Sequence, residues 1–242
     1  MGGHTFIVER IARAASKGCV LEGPFSGMRY VSGSVGSVLP PKLLGTYERE
    51  LHPAIHRILE AQPDRIVDVG AAEGYYAVGL ARALPMARVV AFESEERGRG
   101  LLKAMAELNG VAQRIVIEGH CTLESLARAL EPGARTAVIL DVEGGERDLL
   151  SGSVVPRLSG CLVVVELHEW VVPGIRDMLT ERFAATHDVE RIGQAPRSDA
   201  DWPGHQVGWG SLVPRGLRRR CLDEKRAHGM EWLFLRPRVP GT

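Results

Sequence analysis

Arg65-Ile-Val-Asp-Val-Gly-Ala-Ala-Glu-Gly-Tyr-Tyr76 is the stretch from which the rest of the chain is read. Ile66 and Val67 belong to a short β-branched run suited to a buried parallel strand. Asp68 ends that run, and Gly70 and Gly74 supply a tight turn. Tyr75 to Ala83 then carries apolar residues at helical spacing. Strand, glycine turn and helix in that order make the first half of a βαβ unit. In open α/β sheets a ligand sits outside the carboxyl ends of the strands, at such a turn. Glycine lets the backbone approach it closely, because no Cβ stands between.

Working outward, apolar runs recur at a spacing of about 25 residues, near one βαβ unit. They are Arg88–Phe92, Arg114–Ile117, Thr136–Leu140 and Cys161–Val165. With the first run they end in acids: Asp68, Glu93, Glu118, Asp141 and Glu166. In a parallel sheet those ends share one edge, so the cleft there carries negative potential. A dinucleotide pyrophosphate is poorly served by such an edge, since phosphates favour basic groups and free helix N-termini. A ligand with hydroxyls, an amine and a positive centre suits it better, and S-adenosylmethionine is such a ligand. Acids at strand ends also occur in α/β folds of every function, so charge alone leaves the ligand open.

Asp68-Val-Gly-Ala-Ala-Glu-Gly-Tyr75 resembles the glycine-rich first motif of class I S-adenosylmethionine-dependent methyltransferases. Leu140-Asp-Val-Glu-Gly-Gly-Glu146 and Val165-Glu-Leu-His168 resemble the FkbM-type subgroup, many of whose members methylate oxygen on small molecules. The resemblance spans roughly residues 44 to 170, with an echo at Glu224-Lys-Arg226. It implies an α/β fold, Rossmann-like and doubly wound, with a mostly parallel seven-stranded sheet whose last strand is antiparallel. It also implies S-adenosylmethionine as cofactor. The Asn/Asp-Pro-Pro-aromatic segment expected of nucleic-acid amino-methyltransferases is absent where Asp141-Val-Glu-Gly144 stands, which favours an oxygen acceptor.

Roles follow for individual residues. Asp68 is expected to orient the turn and reach the ligand ammonium through water. Gly70, Ala71 and Ala72 let the methionine part lie against the backbone. Glu73 faces the ligand amine or caps the next helix, where an acid is favoured in any case. Glu93 is placed to accept two hydrogen bonds from a ribose diol, and Ser94 to touch the adenine. His120 and Cys121 fall where such folds contact the base, with Cys121 read as structural rather than nucleophilic. In FkbM-like proteins the segment holding Tyr47 and Glu48 reaches the cofactor; the alternative is a packed aromatic beside a helix-start carboxylate.

Asp141, Glu166 and His168 are expected to converge at the methyl-transfer end, Glu166 and His168 through strand alternation. O-methylation needs a base, and His suits that near neutral pH. The same trio is alternatively a divalent metal site that lowers the acceptor's pKa. A third reading makes His168 a satisfied strand-end histidine.

Of 242 residues, 30 are Lys or Arg and 30 Asp or Glu, so a protein living on a nucleic-acid backbone is not expected. The four cysteines form no C-x-x-C pair, which indicates neither a zinc site nor a disulfide framework. No stretch reaches the ~20 apolar residues of a membrane span, and no cleavable leader is evident. The expectation is a cytoplasmic protein with a small-molecule acceptor as partner, a homodimer being left open.

Residues 1–62 read as an extension packed on the core: a helix to residue 16, one or two hairpins ending at Pro40-Pro41, and a helix from Leu44 to about Ala61 with Thr46 as N-cap. Residues 63–242 read as the core. It includes a Gly-, Pro- and Trp-rich loop at 193–215 that is a lid or a partner contact, and Met230–Leu235 as a closing edge strand. The function expected is O-methylation of a small molecule. Its rivals are a nicotinamide-dependent oxidoreductase and a cofactor-binding protein without chemistry.

Overall fold

The computed structural model describes residues 2–203, 212–226 and 229–238. Its N-terminal part contains α1 (Gly2–Ser16), α2 (Leu39–Leu44) and α3 (His52–Ala61). The quoted motif follows as β1 (Arg65–Val69) and α4 (Tyr75–Ala83), then β2 (Arg88–Phe92), α5 (Glu96–Leu108) and β3 (Ile115–Glu118). The second half runs α6 (Leu123–Ala129), β4 (Thr136–Leu140), α7 (Glu146–Leu149), α8 (Val155–Leu158) and β5 (Leu162–Leu167). It closes with α9 (Ile175–Phe183), β6 (His187–Gly193), α10 (Arg215–Leu222) and β7 (Glu231–Pro237).

The seven strands form one sheet in the order β3-β2-β1-β4-β5-β7-β6. The first five are parallel, and β7 runs antiparallel to both β5 and β6. The chain moves outward from β1 to β3, then returns to lay β4 on the other side of β1. The β1–β4 boundary is therefore the topological switch point, where a ligand crevice opens. Alternation within the strands feeds two apolar layers. Ile66, Ala91, Ile139 and Val164 face the side covered by α1 to α5. Val67, Val90, Val138 and Val163 face the side of α6 to α9. Asp68 and Glu166 are in phase with the first set, so they point toward the side where the N-terminal residues lie.

Three local expectations change. Met230–Leu235 is an interior strand, and the edge is β6. Trp232, Leu233, Phe234 and Leu235 are all buried, as a strand covered on both faces requires, while β6 exposes Asp188 and Arg191. The expected hairpins shrink to a single bridge, Cys19 to Arg29, and Pro40 and Pro41 open α2 rather than end a strand. Proline fits there because the first helical turn has no use for its missing N–H.

The third change concerns the next helix. It begins at His52, with Pro53 in its first turn, not near Leu44. Gly45 terminates α2 in the left-handed region, and the buried Thr46 hydroxyl has no hydrogen-bond partner, so it caps nothing. Tyr47 and Glu48 consequently lie in the connection before α3, Glu48 at φ +45°.

The extension shares its core with the sheet: Val8, Phe25, Met28 and Leu43 join the same apolar layer as Ile66 and Val164. Part of the 193–215 loop, residues 204–211, lies outside the described residues. The remainder is pinned to the N-terminal half, Arg197 and the Ala195 N–H both bonding Glu50. Arg215–Arg220 forms most of α10. Among the described residues no helix is long and apolar enough to cross a membrane.

Candidate active site

The turn after β1 is held by its neighbours on both sides. Gly70 and Ala71 donate to the Phe92 carbonyl of β2, each at 2.9 Å, and Asp141 donates to Val69 at 2.9 Å. Gly70 has φ +86°, and a Cβ there would fall inside the Asp141 carbonyl oxygen. The glycine is thus demanded by the approach of β4's end to the turn, independent of any ligand. Two cavities open at this point and share Val35, Gly70 and Asp141 in their walls. The larger, of about 610 Å³, runs over the ends of β2 to β4. The smaller, of about 70 Å³, lies toward the N-terminal extension.

Glu93, Ser94, His120 and Cys121 line the larger cavity, where a nucleoside was expected. The Glu93 carboxylate accepts from the Ala72 and Glu95 N–H groups, each at 2.7 Å, which fixes its orientation beside the cavity. Burial pushes the Cys121 thiol up to about 11, in keeping with a structural cysteine. Tyr47, Asp68, Gly70, Ala71 and Ala72 line the smaller cavity. Asp68 is 2% exposed and its Oδ2 has no hydrogen-bond partner. Burial, with the nearby Glu93 and Glu48 charges, raises its carboxyl to about 7.

Glu73 is the residue that departs from expectation. It lines neither cavity and is fully buried. It accepts from the Tyr30 hydroxyl at 2.6 Å, the Ser34 hydroxyl at 3.0 Å, the Val35 N–H at 3.0 Å and the Lys42 ammonium at 2.5 Å. These donors satisfy the carboxylate from the extension, so it neither meets a ligand amine nor caps α4. Its function is to fasten residues 30–42 over the turn.

The expected trio does lie together, but behind the crevice wall: Asp141 lines both cavities and Glu166 the smaller one, while His168 is buried and lines neither. His168 Nε2 lies 3.6 Å from Asp141 and 3.9 Å from Glu166. Two further carboxylates complete the surround: Glu143 at 3.3 Å from Nε2, and Glu146 at 2.7 Å from Nδ1. Glu146 Oε1 also accepts from the Val142 and Gly144 N–H groups, each at 3.3 Å, so Nδ1 of His168 carries the proton and donates. Burial alone would push the His168 pKa down. The Glu146 hydrogen bond and charge, then Glu166 and Glu143, outweigh it and hold the imidazole above its ordinary value.

Glu166 is differently employed than expected. One oxygen accepts from Arg226 at 2.8 Å and the other from the Trp232 indole at 3.1 Å. With a partner on each oxygen it braces the site, and it falls outside the group whose ligand atoms lie close together. The described residues whose ligand atoms lie within 4.8 Å of one another are instead Asp141, Glu143 and His168. Arg226 also bonds Glu48, and Glu224 at 3.0 Å, so one guanidinium joins three buried carboxylates. Glu48 spends its second oxygen on the Tyr76 hydroxyl. Burial pushes the Asp141 and Glu166 carboxyls upward, helped by the Glu48 and Glu143 charges at Asp141 and by the Asp141 and Glu48 charges at Glu166.

Sequence reasoning did not single out Lys42 or Trp232, and reached Arg226 only as part of a faint echo. Both lie in walls contributed by chain segments far from the glycine motif, and no local spacing marks them. Glu143 was within reach, standing two residues from Asp141 in the quoted segment.

The fold with these crevice residues is the Rossmann-like methyltransferase fold. No family model matches the chain, and no curated protein matches it. Among solved structures, the O-methyltransferase TomG from Streptomyces achromogenes, in complex with SAM, is 19% identical at a TM-score of 0.51, over 80% of this chain and 81% of that chain. Cofactor-bound Rv0187 from MTB is 14% identical at 0.51, over 95% and 90%. The METTL16 methyltransferase domain is 13% identical at 0.51, over 94% and 79%.

Proposed function

We propose that this chain transfers a methyl group from S-adenosylmethionine to oxygen on a small molecule. The observation that carries it is the pair of adjoining cavities at the β1–β4 switch point, with the fixed Glu93 carboxylate in the wall of one and Asp141 in the walls of both, the buried His168–Glu146 pair standing behind Asp141. The donor set suits a sulfonium nucleoside. Glu93 offers its carboxylate to a ribose diol. Asp68, with an unpartnered oxygen, faces the smaller cavity beside Glu48 and Asp141, where positive charge is favoured.

When bound, the cofactor supplies an electrophilic methyl on sulfur and leaves as a neutral thioether. The protein's part is alignment and proton removal. Asp141 stands at the junction of the cavities and orients the acceptor hydroxyl. Neutral His168 lies behind Asp141 and takes that proton on Nε2 by way of the Asp141 carboxylate, 3.6 Å away, as the oxygen forms its bond to carbon, and Glu146, already bonded to Nδ1–H, stabilises the imidazolium. The FkbM-type resemblance agrees with this assignment.

A metal-assisted variant is favoured by one observation, the Asp141–Glu143–His168 cluster. These residues would hold a divalent ion that acidifies the acceptor hydroxyl. They replace the trio expected from sequence, because Glu166 falls outside that cluster.

Calorimetric titration with S-adenosylhomocysteine and with NAD, each repeated on Glu93→Gln, tests the reading. Binding of the first, weakened by the substitution, supports it and leads to an acceptor screen with and without EDTA. Binding of NAD alone overturns it.

A further inference from the structure

The smaller cavity is electrically lopsided. Its lining holds the acids Asp68, Glu48, Asp141 and Glu166, and also Lys42. Lys42 is 2% exposed, and its Nζ lies 4.9 Å from the Tyr47 ring and 5.9 Å from the Tyr75 ring, both of which line the same cavity. A lysine ammonium has three N–H donors. Glu73 takes one at 2.5 Å and Ser34 another at 3.4 Å. Glu73 is itself supplied by Tyr30, Ser34 and Val35 besides Lys42, so its charge does not depend on the lysine alone. Ser37 adds a hydroxyl to the lining. In the same lining Asp68 presents a buried carboxylate oxygen without a partner.

We infer that Lys42 is a specificity-determining residue that binds the carboxylate of an α-amino-acid end of the ligand, while Asp68 receives its ammonium. This deepens the methyl-donor reading and rests on it. A zwitterion laid between the two residues matches both charges. A simple amine matches only the acids, and a phosphate only the lysine. The volume agrees: about 70 Å³ is several times the ~10–15 Å³ that one water occupies by the same measure. Lys42 thereby has two tasks, fastening the extension through Glu73 and recognising what that extension covers.

The test uses two probes on the full chain: S-adenosylhomocysteine and its decarboxylated analogue, which keeps the amine. The readout is the ratio of their dissociation constants, which is unaffected by any fraction of unfolded protein. Lys42→Met alone takes away the ammonium that pairs with Glu73, so Lys42→Met/Glu73→Gln removes the pair together, with Glu73→Gln as reference. The wild type and Glu73→Gln are expected to prefer the carboxylate-bearing ligand at least about tenfold, the scale of a charge-assisted hydrogen bond. The double variant is expected to bring the ratio near one. A ratio unchanged in the double variant, or near one in the wild type, overturns the assignment while leaving the methyl-donor reading in place. Wild type that binds neither probe overturns both.

Discussion

His168 Nδ1 lies 2.7 Å from Glu146 Oε1, with both side chains essentially sealed from solvent. A base buried this way titrates according to its partner. Because Glu146 favours the imidazolium, His168 gains its proton at higher pH than the ordinary 6.5 and is a competent base only above that shifted value. The kcat/KM for methyl transfer is therefore expected to rise with pH along a limb centred above 6.5. Glu146→Gln removes the charge and moves the limb to lower pH. His168→Asn lowers kcat about 10²–10⁴-fold. Rates measured with labelled donor between pH 5.5 and 9 check this; a Glu146→Gln limb that does not move separates the histidine from the chemistry.

Asp68 titrates at about 7 because burial favours its neutral form. The sign is the reverse of a paired carboxylate: its contribution to stability is fully present below 3.8 and is lost as pH rises through 7. Asp68→Asn is thus expected to be more stable than wild type at pH 8, with an advantage that shrinks steadily toward pH 4. An ammonium placed beside Asp68 restores the charged form, so ligand binding at pH 7 releases roughly half a proton. Calorimetry in buffers of different ionisation enthalpy measures it, and Asp68→Asn abolishes it.

Gly70 and Gly100 give opposite outcomes for the same substitution. Gly70→Ala places a Cβ on the Asp141 carbonyl at φ +86°, and is expected to cost at least about 3 kcal/mol. Gly100 lies within α5 with nothing near its missing Cβ, so Gly100→Ala is expected to gain up to about 1 kcal/mol. Urea denaturation midpoints decide both.

Removing Arg226 strands Glu48, Glu166 and Glu224. Arg226→Met is expected to cost about 3–5 kcal/mol at pH 8. The deficit shrinks at pH 5, because Glu166 and Glu224, held upward by burial and released from the guanidinium that lowers them, take up protons there. Equal losses at the two pH values would show that the arginine acts by packing alone.

Much of this fold was legible because it is periodic. The runs at Arg65, Arg88, Arg114, Thr136 and Cys161 became parallel strands, and their terminal acids do share one edge. Glu93 and Asp141 were readable because each stands at the end of a strand, where backbone direction alone aims a residue at the crevice. Glu73 was not, since its partners Tyr30, in irregular chain, and Lys42, on the short helix α2, stand at no spacing from the glycine motif that marks them. Glu166 was half legible: strand phase placed it beside His168, but its bonds to Arg226 and Trp232 depend on a strand that enters the sheet last in sequence. The hairpin expectation failed because glycine spacing marks turns without saying whether strands lie between them.

Arg226 reaches back 178 residues to Glu48. A contact so distant along the chain closes late, after the loops between have been ordered. During synthesis the glycine turn, the strands β1 to β5 and the extension can all assemble while the acid-lined wall still lacks its guanidinium. Repulsion among the carboxylates keeps that wall unsettled until the C-terminal segment arrives. Completion of the ligand cavity is thereby tied to synthesis of the segment around Arg226, and a nascent chain that bears the whole glycine motif but stops before Arg226 is expected not to bind the donor.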